Sequence, residues 1–235
     1  MADLRFWFDP VCPFAWMTSK WVRMVAAQRD YEVEWRFISL RLLNAHIDYD
    51  AHFPPEYEAG HTAGLRLLRV ASRVRDEHGS DAVARFYEAA GGRIFETEGG
   101  GDAAQDTPAL AEGVLADAGL PAALADALDE AERDTVVQAE TDEALALTGK
   151  DVGTPILQFS PPEGTSFFGP VISRLPSEEQ AAELWDSVVT LAGFAGFAEL
   201  KRSLRERPQL PAFGVAPGDV GVQEDWHAGS RRQKR

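Results

Sequence analysis

The placement of strand signals constrains this chain more than any other feature. Residues 4–8 (LRFWF) are a short run of aromatic and branched side chains closed by Asp9-Pro10, which predicts a buried strand. From Pro13 the apolar spacing changes: Met17, Trp21 and Met24 recur at i, i+4 and i+7, one face of a helix reaching about Gln28. Residues 33–38 (VEWRFI) alternate apolar and polar, a second strand. Strand, helix, strand is the unit that builds a parallel pair through a crossover. No strand signal follows between about Leu42 and Lys150. Residues 156–159 and 165–168 then predict a hairpin around Ser160-Pro161-Pro162-Glu163-Gly164. Behind it, Ser177-Glu178-Glu179-Gln180 is a capping box in front of the helical stripe Ala181, Leu184, Trp185 and Val188. The order describes an α/β sheet interrupted by an inserted helical domain and completed by residues far along the chain.

The interrupting block reads as helices throughout. Leu67, Val70, Ala71 and Val74 mark one amphipathic face. Ser80 is placed to cap the next helix, with Val83, Phe86, Tyr87 and Ala90 on its inner face. Gly99-Gly100-Gly101 predicts a flexible joint, and Thr107-Pro108 starts another helix ending near Gly119. Further helices are expected over residues 124–133 and 135–148, and a last one over about 197–205. Beyond Pro208 the chain is rich in Pro and Gly without periodicity and ends Arg231-Arg232-Gln233-Lys234-Arg235, which reads as a loosely held tail.

Composition narrows the function classes. With 38 acidic against 23 basic residues the net charge is −15, so phosphate backbones and anionic lipid are repelled, and neither nucleic acid nor a membrane is an expected partner. No apolar run approaches the roughly 18 residues of a membrane span. The N-terminal residues lack a secretory pattern, and one cysteine excludes an internal disulfide, so a reducing cytoplasm is the expected setting. Five histidines show no ligand spacing with that cysteine, and no metal is expected.

The single thiol carries the chemistry. Cys12 falls just past the first strand at the start of the first helix, with Pro13 behind it. A helix start offers unpaired N–H groups and the positive end of the macrodipole, which lower a cysteine pKa from about 8.5 into roughly the 3.5–7.5 range. The alternative is a buried, inert thiol behaving as a small hydrophobe.

Asp9-Pro10-Val11-Cys12-Pro13-Phe14-Ala15-Trp16 resembles the active-site start of the thioredoxin-fold DsbA family, and Val152-Gly153-Thr154-Pro155 resembles that family's cis-proline loop. Phe6-Trp7-Phe8-Asp9-Pro10, Ser39-Leu40, Leu43-Asn44, Asp117-Ala118-Gly119-Leu120-Pro121 and Phe167-Phe168-Gly169-Pro170-Val171 are similar to its actinobacterial, mycothiol-dependent nitroreductase branch. The resemblance implies a thioredoxin-like fold of DsbA type with an inserted all-helical domain. It divides the chain into a thioredoxin-like unit (1–44 and 149–207), a helical lid (45–148) and a tail (208–235).

It also implies a site: Cys12 and Pro155 as catalytic residues, and Pro13, Phe14, Asn44, Tyr57 and Thr154 around the substrate. Cis Pro155 would hold the Thr154 backbone open to a thiol substrate beside Cys12, with Asn44 and Tyr57 roofing the cleft. The cosubstrate would be a low-molecular-weight thiol, mycothiol in an actinobacterium. The family's second cysteine is Ala15 here, so a mixed disulfide at Cys12 must be resolved by an outside thiol. The rival readings are a kappa-type glutathione transferase or isomerase relative and a redox-silent binding module on the same fold.

Overall fold

The computed structural model describes residues 2–54, 56–98, 102–105, 107–149, 152–202, 204–227 and 230–231. Strand β1 (Leu4–Phe8) is the hub. It pairs in parallel with β2 (Val33–Phe37), Leu4 opposite Val33 and Phe8 opposite Phe37, across the crossover helix α1 (Pro13–Arg29). On its other side it pairs antiparallel with β3 (Ile156–Phe159), which forms a hairpin with β4 (Ser166–Phe168). The sheet order is β2-β1-β3-β4, and helix α8 (Glu178–Gly193) follows with the Ser177 side chain accepting from the Gln180 N–H. This mixed α/β arrangement is compatible with a thioredoxin-like fold.

Alternation along β1 explains why both faces are apolar. Leu4, Phe6 and Phe8 point into the main core with Trp35 and Phe37, while Trp7 points the other way into a smaller cluster with Ile38, Ala144 and Ile156. Between β2 and β3 come α2 (Leu40–Leu43), α3 (Tyr49–His52), α4 (Glu56–His78), α5 (Ser80–Phe95), α6 (Thr107–Asp117) and α7 (Asp134–Thr148). These helices have no separate interior: Leu67, Val70, Phe86 and Tyr87 belong to the same apolar cluster as Phe8 and Trp35. The Tyr87 ring stacks on Phe8 with centroids 3.8 Å apart. Helix α7 is tied to the sheet by Glu140, which accepts from the Phe37 N–H at 2.7 Å and pairs with Arg75 at 2.6 Å.

Several expectations need correction. Residues 122–129 and 131–133 are 3-10 turns where an α-helix was expected; the backbone closes i→i+3 here, with the Leu124, Glu130 and Arg133 N–H groups donating to the Pro121, Ala127 and Glu130 carbonyls. The described residues of 197–205 form no helix: residues 204–206 are strand β5 (Leu204–Glu206), paired antiparallel with β6 (Gln223–His227), which in turn meets β7 (Ser230–Arg231). Nor is the stretch just after Pro208, residues 209–215, loosely held. Leu210 is fully buried, the Gln209 N–H donates to the Ser173 carbonyl at 2.7 Å, and Phe213 meets Phe95 at 6.4 Å. Isolated buried side chains, without periodicity, anchor this segment. The joint expected at Gly99-Gly100-Gly101 lies outside the described residues.

Candidate active site

Asp9-Pro10 ends β1, and the chain turns into α1 with Cys12 as its N-cap and Pro13 at the first helical position. Cys12 has extended backbone (φ −88°, ψ 112°), so its side chain folds back over the first turn, and Sγ accepts from the Ala15 N–H at 3.5 Å. The thiol in turn donates to the Thr154 carbonyl at 3.4 Å. That carbonyl belongs to the cis peptide bond between Thr154 and Pro155, and the Thr154 hydroxyl donates to the Trp7 carbonyl at 3.1 Å, fastening the loop to β1. Residues 142 positions apart thus converge on one sulfur.

The wall around the sulfur is apolar. Cys12, Phe14 and Ala15 form a small cluster with Leu40 and Val171 against it, and Cys12 is only 7% exposed. Burial is the largest influence on the thiol and pushes its pKa up to about 12, with the Asp9 carboxyl adding to the rise. The Ala15 and Phe14 N–H groups and Arg205 pull the other way and do not overcome it. This corrects the expected lowering. The helix-start donors are in place, but a thiol sealed among apolar side chains loses more from desolvation than two amides return.

Asp9 is fully buried beneath this loop, its carboxylate accepting from the Val11 N–H at 3.0 Å and the Leu40 N–H at 2.8 Å. Desolvation outweighs both hydrogen bonds and brings its pKa to about 7. A carboxyl raised on folding contributes stability that is complete below the unfolded value of 3.8 and lost as pH rises through about 7. His61 has the opposite sign: burial lowers it to about 4, so its contribution is complete above 6.5 and lost as pH falls toward 4. Asp9→Asn should therefore make the pH slope of the unfolding free energy more positive between about pH 4 and 7, leaving the rise due to His61, measured by urea titration at closely spaced pH values. An unchanged slope would show that Asp9 ionises normally.

Cys12 opens onto a cleft of about 2730 Å³. Pro13, Phe14 and Thr154 line it beside the sulfur, and Asn44 and Tyr57 line it on the helical side. Pro155 is buried behind Thr154 and does not line it. Asn44 is also the C-cap of α2, its amide donating to the Leu40 carbonyl at 2.9 Å. Tyr57, on the first turn of α4, stacks on Phe53 at 5.6 Å and meets His61 at 5.5 Å; His61 Nδ1 and the Tyr49 hydroxyl are 3.0 Å apart.

Three side chains near the sulfur or on this wall were not singled out from sequence. His61 is four residues beyond Tyr57 on one helix, a spacing that could have found it. Asp9 carried a local signal, a carboxylate closing a strand three residues before the thiol. Arg205 carried none; β5 brings its guanidinium carbon to 5.9 Å from the centre of the Phe14 ring. Among the described residues, no group of three or more His, Cys, Asp or Glu side chains is arranged to hold a metal ion. No helix among them is long and apolar enough to cross a membrane.

The model of the family described as Rv2466c-like, mycothiol-dependent nitroreductase Rv2466c, matches residues 11–202. The chain belongs to this family. It is also similar to the uncharacterized protein Rv2286c of Mycobacterium tuberculosis (strain ATCC 25618 / H37Rv), 34% identical over 213 residues that cover 90% of this chain and 84% of that protein. Within the family match lie Cys12, Pro13, Phe14, Asn44, Tyr57, Thr154 and Pro155, and the alanine at position 15. Arg205 lies beyond it.

Proposed function

We propose that this member of the Rv2466c-like family is a mycothiol-linked oxidoreductase that works through one cysteine. Family membership supports the mycothiol link and the redox class. The observation that carries the monothiol reading is local: Cys12 caps α1 against the cis-proline loop at the edge of a cleft, and Ala15 occupies the helical position from which a second thiol would attack. In this reading Cys12 and Pro155 are the catalytic pair, Pro155 acting by holding the Thr154 carbonyl toward the sulfur. Pro13, Phe14, Asn44, Tyr57 and Thr154 contact the substrate.

The exchange balances without a further reagent. The Cys12 thiolate attacks one sulfur of a disulfide RS–SR′, forming Cys12–S–SR and releasing R′S⁻, which takes up the proton that Cys12 gave up. A second small thiol, as thiolate, then attacks the mixed disulfide, forms the new disulfide and returns Cys12. Once the sulfur is in an adduct it no longer donates to Thr154, and an amide N–H of the bound thiol replaces it on that carbonyl. Residues 1–44 with 149–207 form the thioredoxin-like unit of DsbA type. The helical unit 45–148 carries Tyr57 and with Asn44, at its entry, covers the cleft, residues 208–235 follow as a C-terminal extension, and the cytoplasm supplies the thiol. Reduction of a nitro compound would be a separate reaction, in which Cys12 and a small thiol join as a disulfide, supply two electrons and two protons, and one nitro oxygen leaves as water.

Protein purified without reductant from a mycothiol-producing host tests this directly. Intact mass is expected to show a mycothiol-sized adduct, mapped to Cys12 and removed by added thiol. An unmodified thiol under oxidising conditions would overturn the reading. One observation favours a second: the thiol is held protonated on the Thr154 carbonyl. A transferase-like protein that binds a thiol cosubstrate without bonding to it would look the same, and it would keep full turnover in Cys12→Ser.

A further inference from the structure

The largest barrier to the proposed chemistry is the cost of placing a negative charge on Cys12. Asp9, below the β1–α1 loop, opposes that charge, and the Tyr87 phenol on α5, made harder to ionise by burial and by the sulfur's charge, faces the sulfur as a neutral group. The Phe14 and Ala15 N–H groups of α1 favour it. Among the described residues, Arg205 is a cation that acts on the sulfur, and it comes from β5, a strand outside the span of the family match.

This placement is built rather than incidental. β5 is held by its pairing with β6, Arg205 opposite Glu224. The flanking residues are pinned as well: Glu206 accepts from the Ser173 hydroxyl at 3.1 Å and pairs with Arg174 at 2.9 Å, and Arg207 pairs with Glu224 at 3.1 Å. Buried Pro208 and Leu210 then anchor the chain beyond. Between those fixed neighbours, Arg205 is half-buried, lines the Cys12 cleft and lies over the Phe14 ring at 5.9 Å. A guanidinium held over a ring that walls the sulfur sits in a medium where its field is weakly screened.

We propose that Arg205 is a positioning residue of the active site, acting through Cys12: it stabilises the thiolate and draws anionic reactants to it. Strand β5 is thus part of the active site. The proposal deepens the thiol-exchange reading, but its test needs only the Cys12 sulfur as a nucleophile.

The experiment compares alkylation of Cys12 by neutral iodoacetamide and anionic iodoacetate from pH 6 to 10 in the full-length wild type, Arg205→Met and Arg205→Lys. In Arg205→Met the iodoacetamide rate is expected to fall about tenfold at each pH of this range, as a thiol made harder to ionise by about one pH unit requires, and the iodoacetate rate to fall about tenfold further. Arg205→Lys should recover most of both effects, because it keeps the charge. If Arg205 only braces the strand, removing it opens the cleft, and the two reagents change in the same proportion. That outcome, or an unchanged iodoacetamide rate in Arg205→Met, overturns the proposal. Should Arg205→Met not fold, Arg205→Gln replaces it, and an unchanged iodoacetamide rate or reagent ratio there would also overturn it. The two proposals fail separately: a preserved reagent preference with no mycothiol adduct would leave Arg205 in its role and remove thiol exchange.

Discussion

Replacing Cys12 with serine is expected to abolish the thiol adduct and to lower thiol–disulfide exchange by about three orders of magnitude or more, as removal of a covalent nucleophile does. The substitution is close to isosteric and leaves the two hydrogen-bonding directions usable, toward the Ala15 N–H and the Thr154 carbonyl. The fold should therefore survive, and circular dichroism and melting temperature check that it does. The complementary change is Ala15→Cys. Ala15 is buried in the first turn of α1, and its own N–H already points at the Cys12 sulfur. A thiol there meets the adduct at high effective concentration, so the variant should expel a bound thiol unaided and close a disulfide. The wild type should keep its adduct until free thiol is added. Thiol release by the wild type without added thiol, followed by mass spectrometry, would end the single-cysteine mechanism.

The second large effect is on stability, at a glycine where helix propensity points the wrong way. Gly91 lies within α5, and by propensity alone Gly91→Ala gains about 1 kcal/mol. A Cβ at this position would instead lie 2.1 to 2.4 Å from three ring carbons of Trp16. The ring has nowhere to go: its Nε1 donates to Glu96 at 2.7 Å, Tyr87 meets it edge-on at 5.8 Å, and Arg23 lies over it at 5.7 Å. Overpacking of this severity outweighs the propensity gain, and a net loss of about 3 kcal/mol is expected. Gly92, one residue on, has nothing within 4 Å of a built Cβ, so Gly92→Ala should stabilise by about 0.5–1 kcal/mol. Urea unfolding of the pair separates sterics from propensity; equal effects would mean that α5 sits farther from α1 than described. Because Trp16 follows Cys12 by one helical turn, thiol reactivity should change in Gly91→Ala and not in Gly92→Ala.

The sheet was legible because its strands are short, strongly patterned and bounded. LRFWF and VEWRFI carry the alternation that sends Phe6 and Phe8 one way and Trp7 the other, and the Ser177 cap of α8 is a purely local signal. The Cys12–Thr154 meeting was legible through motif resemblance, since no local pattern relates residues so far apart. Thiol acidity was not legible. The helix start is local, whereas the burial that dominates it comes from Leu40 and Val171 on other segments. Strand β5 was missed because three residues have no detectable period, and its partner β6 lies almost twenty residues away. Arg205 was hidden with it.

One apolar cluster joins the sheet to helices α4 and α5, with the Tyr87 ring lying flat on Phe8. The chain should accordingly melt as one cooperative unit, giving a single heat-capacity peak, because neither part can let go without exposing the other's interior. Excising the helices would strip the β1 strand of its cover and yield no folded fragment. Whatever movement admits a substrate is therefore confined to the rim of the cleft, where α2, α3 and the start of α4 rest on fewer buried side chains, while α5 stays fixed to the strand that leads to the reactive sulfur.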